Sequence, residues 1–172
     1  MTTQTQLAVI DLALIPMVNV GTAIYLLRRF EFDEDDIAGL VGDGRLVGWD
    51  IAAPRAERRE LRLWAPSIER FAERNFGRPA LGEITFQWAE IVQTLLRPSN
   101  QSWVVGTEVQ FALNCSSTHV IGLIEHRPPV LKLMPGTSYQ TGRNGSPKIA
   151  RDSFVNFLTN RLETAHKIRG LF

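Results

Sequence analysis

The sequence predicts an α+β fold, mostly helical, in which one small module is written twice and a linker helix joins the copies. Three observations predict it. Val20-Gly21-Thr22 and Val105-Gly106-Thr107 each open an apolar helical pattern followed by a second short one, with Ile37, Leu40 and Val41 in the first copy and Val120, Leu123 and Ile124 in the second. Each pair of helical patterns leads into an extended run, a basic polar loop and a second extended run. Each copy then closes on a helix opening at a serine: Ala65-Pro66-Ser67-Ile68 with Phe71 beyond, and Arg151-Asp152-Ser153-Phe154 with Phe157 beyond. These patterns divide the chain into a first module over 9–75, a linker with a helix over 76–102, and a second module over 103–172.

Within the first module the spacing predicts a helix over 21–29 with Ala23, Leu26 and Leu27 inward. Asp33 is the expected cap of the next helix, because its carboxylate can accept the unpaired amides of a first turn. Glu34, Asp35 and Asp36 suit that same positive end. Gly42 to Gly44 ends the helix, and strands are expected over 46–51 and 61–64 around a turn holding Pro54, Arg55, Arg58 and Arg59. A closing helix is expected over 67–73. In the linker, Ile84, Trp88, Ile91, Leu95 and Leu96 recur near helical spacing until Pro98-Ser99-Asn100 stops them.

The second module predicts a helix over 106–113 with Phe111, Ala112 and Leu113 supplying core positions, and a second helix up to Glu125, separated by the tight turn Asn114-Cys115-Ser116, with Ser116 or Ser117 as cap. Val120, Leu123 and Ile124 recur at three- and four-residue spacing and so face inward. Short strands over 130–133 and 147–149 flank a glycine-rich loop from Met134 to Ser146, expected to be mobile. Asp152 or Ser153 opens the last helix, with Phe154, Phe157, Leu158 and Leu162 on its apolar face. The tail from Lys167 to Phe172 is both basic and apolar, suited to packing back or to meeting a partner.

Composition narrows the class. With 44% hydrophobic residues among 172, the chain can fill real cores, yet no apolar run is long enough to span a bilayer. The first twenty residues lack a basic start, so no secretion signal is expected. Cys115 stands alone, which removes an intrachain disulfide and fits a reducing, cytoplasmic compartment. The net charge of +1 is uninformative, but its distribution is not. Residues 1–100 carry 11 Lys/Arg against 14 Asp/Glu, a net of −3, and residues 101–172 carry 8 against 4, a net of +4. Phosphate would favour the second half.

Helix, turn, helix, two strands around a loop, helix is the order of a winged helix-turn-helix. The run from Val104-Val105-Gly106-Thr107 through Asn114-Cys115-Ser116-Ser117-Thr118-His119 to Glu125, with Ile149 and Arg151-Asp152-Ser153-Phe154 after the loop, resembles small excisionase-like, MerR-related DNA-binding proteins. The resemblance covers about 60 residues there, and more loosely residues 20–71 through Val41-Gly42-Asp43-Gly44-Arg45-Leu46 and Trp64-Ala65-Pro66-Ser67-Ile68. It implies tandem winged helix-turn-helix modules, a helix over 117–125 in the major groove, and wings on the DNA backbone. It also implies a regulator of transcription, a recombination directionality factor, or a phage or plasmid packaging component.

On that reading Ser116, Ser117, Thr118 and His119 begin the recognition helix, where short hydroxyls and a positive helix end suit phosphate oxygens or base edges. Capping is an equal role for Ser116. His119 is expected to be exposed, since Val120 fills the adjacent inward position. Lys132, Arg143 and Lys148 would contact phosphate from the second wing, and Arg55, Arg58, Arg59 and Arg62 from the first. The first copy departs from the pattern at Asp33-Glu34-Asp35-Asp36, which would repel phosphate. That module therefore docks through its arginine wing, which is the favoured reading, or serves in dimerisation.

Catalysis finds little support. His119, His126 and His166 form no close-spaced ligand set with the lone cysteine, and the acidic run lacks the alternating ligands and glycine of a calcium loop. Ser116 with His119 does not read as nucleophile and base. No catalytic residue, metal or cofactor is expected. The favoured function is sequence-specific binding of double-stranded DNA, with self-association through the linker helix or tail as a further partner interaction and no membrane. The competing class is a non-catalytic protein-interaction adaptor, supported by the acidic first copy, the near-neutral charge, and Trp88 and Trp103 near the junction.

Overall fold

The computed structural model describes residues 15–77, 85–137, 146–164 and 168–171. The fold is α+β and predominantly helical, with small sheets. The chain runs β1 (Met17–Asn19), α1 (Val20–Leu26), a 3-10 turn (Arg28–Phe30), α2 (Glu34–Gly42), β2 (Gly48–Asp50), β3 (Leu61–Trp64) and α3 (Ala65–Gly77). Then come β4 (Phe86–Gln87), α4 (Trp88–Leu95), β5 (Trp103–Val105), α5 (Gly106–Leu113), α6 (Ser117–Glu125), β6 (Lys148–Ala150), α7 (Arg151–Asn160) and β7 (Ile168–Arg169).

Short polar side chains set the helix starts. The Asn19 Oδ1 accepts from the Thr22 amide at 2.8 Å, opening α1. Asp33 caps α2 reciprocally with Asp36, each carboxylate accepting the other's amide at 2.9 and 3.0 Å. Ser116, rather than Ser117, caps α6 by accepting from the His119 amide at 3.2 Å. Between each pair of helices one residue takes the left-handed conformation that turns the chain: Glu31 at φ 55 and Asn114 at φ 47.

The repetition extends to individual hydrogen bonds. In the first copy β3 lies between β1 and β2, both antiparallel to it, and Val18 pairs with Leu63. In the second, β5 pairs antiparallel with β6 through Val104 and Ile149, and an isolated bridge from Leu133 to Ile149 supplies the third strand position. The Ser67 hydroxyl accepts from the Val47 amide at 3.1 Å, and the Ser153 hydroxyl accepts from the Lys132 amide at 2.8 Å. Trp64 donates to the Val47 carbonyl at 2.9 Å, and Ala150 to the Lys132 carbonyl at 2.8 Å. The helices that open the copies begin at Val20 and Gly106, so the two Val-Gly-Thr triplets stand one residue out of register with each other.

Among the described residues two hydrophobic cores result. Val18, Leu46 and Leu63 face α1, α2 and α3, burying Ala23, Ile37, Leu40, Ile68 and Phe71. The opposite face of the same sheet (Met17, Val47, Trp49 and Trp64) joins a larger core with Phe86, Ile91 and Leu95 of the linker and Val104, Leu123, Phe154 and Leu158 of the second copy. Strand alternation makes this possible, since successive side chains leave opposite faces. The Trp49 indole donates to the Leu158 carbonyl at 2.9 Å, and Trp49 bridges to Leu162.

Several features differ from expectation. Ala112 and Leu113 are buried, but Phe111, expected in the core beside them, is exposed, because the inward side of α5 is filled by Val109, Ala112 and Leu113. The strands β1 and β5 precede the first helix of each copy, and β4 pairs in parallel with β7. The linker helix is confined to Trp88–Leu95, with Ile91 and Leu95 in the shared core. The tail packs back, its Ile168 buried beside Phe86. The last helix opens at Arg151, one or two residues before the expected Asp152 or Ser153. No helix among the described residues is long and apolar enough to cross a membrane.

Candidate nucleic-acid interface

Val120, Leu123 and Ile124 anchor α6 in the core, which leaves Ser117, Thr118, Gly122 and Glu125 exposed on its other side. The N-terminal end of α6 meets the hairpin formed by β2 and β3. His119, expected on the exposed side, turns against that hairpin instead and its side chain is only 17% exposed. Its Nε2 donates to the Ile51 carbonyl at 2.8 Å, because a carbonyl can only accept, and its Nδ1 lies 3.3 Å from the Glu60 Oε2. A helix has flanks as well as an inside and an outside, and His119 occupies a flank covered by the other module.

Arg62 crosses the same junction. Its side chain is 13% exposed and donates to the Glu60 carboxylate at 2.7 Å, the Asn114 carbonyl at 3.2 Å and the Leu61 carbonyl at 3.3 Å. Burial under this contact pushes the Cys115 thiol up to about 11, with Glu60 adding to the rise and Arg62 opposing it. Arg59 is exposed but paired, 2.9 Å from the Glu163 carboxylate and 3.8 Å from Asp50. Four arginines of similar sequence context thus divide. Arg59 and Arg62 hold the hairpin to the second copy, while Arg55 and Arg58 stand exposed in its loop, Arg55 at φ 67.

The structure therefore sets the base of the hairpin loop that carries Arg55 and Arg58, at Ile51 and Glu60, against His119 in the first turn of α6, the turn that also carries Ser117 and Thr118. Lys132 and Lys148 lie elsewhere, exposed on the outer face of the second sheet, with the Lys148 ammonium 4.6 Å from the centre of the Trp103 ring. Arg143 and most of the loop from Met134 to Ser146 fall outside the described residues. Glu60 and the Ile51 carbonyl are invisible to sequence reasoning because their roles depend on His119, 59 and 68 residues further along the chain.

Two other features bear on function. A groove of about 600 Å³ opens between the end of α4, β5 and α5, with Trp103, Phe111, Glu108 and Arg151 among its lining. Among the described residues no three His, Cys, Asp or Glu side chains gather as a metal-binding group. Comparison with protein-family models, curated protein sequences and solved structures finds no match to this chain.

Proposed function

We propose that this chain binds double-stranded DNA without a catalytic centre, as tandem winged helix-turn-helix modules that share one interface. The observation that carries the reading is the junction just described. The first turn of α6, with the exposed hydroxyls of Ser117 and Thr118, meets through His119 the base of a hairpin loop that carries the exposed guanidinium groups of Arg55 and Arg58. Hydroxyls at a helix N-terminus suit base edges and phosphate, and arginines beside them neutralise the backbone. On this reading α6 reads the groove and the first module lends its hairpin rather than its acidic α2. Arg62 and His119 position the two parts, and Lys132, Lys148 and Arg143 would widen the phosphate contact. The same contacts serve promoter occlusion or the direction of recombination in a mobile element.

The test is a salt series on duplex DNA carrying the natural flanking sequence. Affinity should fall linearly with salt on a log–log scale, and R55A/R58A should reduce that slope by about two. S117A/T118A should weaken the preferred site by about 1–3 kcal/mol while leaving mixed-sequence binding nearly unchanged. Affinity indifferent to salt, or both variants binding as the wild type does, would remove the reading.

One observation favours a protein-interaction adaptor instead. Tyr25 and Phe111, 50% and 59% exposed, are each the sixth residue of their helix, α1 and α5, so both modules present an aromatic at the same place. Such an adaptor would fail the salt series but lose its partner on F111S.

A further inference from the structure

Each module has a cationic strand residue that pairs with the residue just before its first helix: Arg62 opposite Asn19, and Lys148 opposite Val105. Each also has a left-handed turn residue two positions before a helix cap: Glu31 before Asp33, and Asn114 before Ser116. Within the chain one cation meets one turn, as Arg62 donates to the Asn114 carbonyl at 3.2 Å. The other cation, Lys148, and the other turn, at Glu31, are both exposed at the surface.

The surfaces around this second pair are complementary. The sheet face of the first module that carries Arg62 is fully covered, with Met17, Trp49 and Trp64 at 0% exposure. At the equivalent positions of the second module, Trp103, Met134 and Ala150 are only half-buried, and Lys132 and Lys148 stand exposed among them. That face is apolar at its centre and positive. Around the turn of the first module Glu31, Asp33, Glu34, Asp35 and Asp36 are all exposed and outnumber the exposed Arg28 and Arg29 that precede them, so the segment carries a net negative charge.

We propose that a second copy of this chain docks head to tail, the basic sheet face of one molecule taking the acidic α1–α2 turn of the next. Lys148 then occupies at Glu31 the place that Arg62 occupies at Asn114 within the chain, and Trp103 and Met134 gain the cover that Met17 and Trp49 already have. The contact is heterologous, so each molecule added leaves one basic face and one acidic turn open at the two ends. Opposite charges across it set the register and speed the encounter. It does not rest on the DNA reading and operates without nucleic acid.

The experiment is sedimentation of nuclease-treated full-length protein over a concentration series at low salt, with two charge-reversed variants. K132E/K148E makes the sheet face acidic. E34K/D35K makes the turn basic and spares the Asp33–Asp36 cap. The wild-type average mass should climb with concentration, and each variant alone should associate at least about tenfold more weakly. An equal mixture of the two should recover association, because each reversed surface then meets a complementary one on the other variant. Recovery also establishes that both variants are folded. A wild type that stays monomeric, a variant that associates alone as the wild type does, or a mixture that stays monomeric while both variants keep the wild-type circular dichroism would each overturn the proposal.

Discussion

Replacing Arg62 by methionine tests how the two modules are held together. Methionine keeps the aliphatic stem in place and removes the guanidinium, so the lost energy is that of hydrogen bonding rather than packing. The guanidinium makes a 2.7 Å bond to the Glu60 carboxylate and longer bonds to the Asn114 and Leu61 carbonyls. A bond to a charged group contributes about 1.5–3 kcal/mol. Glu60 is 39% exposed, so water can partly replace the arginine there and the lower part of that range applies. The expected loss is about 2 kcal/mol, which for a chain of this length lowers Tm by about 4–8 °C. Urea unfolding followed by tryptophan fluorescence reads it, since Trp49 and Trp64 lie in the first module and Trp103 in the second. The control is R58A, whose exposed side chain should change stability by less than about 0.5 kcal/mol. If R62M proves as stable as R58A, the guanidinium does not clamp the hairpin to the α5–α6 turn.

Two further predictions rest on glycine and on the thiol. A Cβ at Gly106 would sit 2.9 Å from the Pro147 Cγ, so G106A should cost about 1–3 kcal/mol, whereas nothing lies within 4 Å of a Cβ at Gly122 and G122A should gain up to about 1 kcal/mol; thermal melts separate them. With its pKa pushed from 9.0 to about 11, Cys115 should alkylate about 100-fold more slowly near neutral pH in the folded chain than after unfolding. Because the folded pKa is the higher, its contribution to stability is complete below about pH 9 and lost as pH rises toward 11, which a comparison with C115A over that window reads directly.

Local chemistry explains what the sequence revealed. Asp33 and Ser116 announce their helices because a cap is a contact over three residues, and Ile37, Leu40, Val41, Val120, Leu123 and Ile124 announce their buried faces by spacing alone. The closing serines and aromatics aligned in register for the same reason, each making its bond inside its own module. β1 and β5 were missed because three residues are too few to display alternation, and their partners lie more than forty residues away. The helical spacing of one module places His119 outward because that spacing carries no information about a neighbouring module. The same limit concealed the division among the arginines: Arg55, Arg58, Arg59 and Arg62 look alike in a basic run, and only a tertiary contact distinguishes the clamped from the free.

That contact also bears on why two copies should diverge. If each module read a groove independently, both second helices would need chemistry tolerant of phosphate, yet α2 opens with three consecutive acids and α6 with two hydroxyls. The first module cannot simply be decaying, because both faces of its sheet are buried, one under its own helices and one under the linker and second copy. Burial on two sides fixes β2 and β3, from which the loop carrying Arg55 and Arg58 extends. On the proposed reading α6 and that loop meet DNA and α2 does not, so the acids of α2 cost the interface nothing. A single shared interface, as proposed, tolerates this asymmetry of charge between the copies, where two independent ones would not.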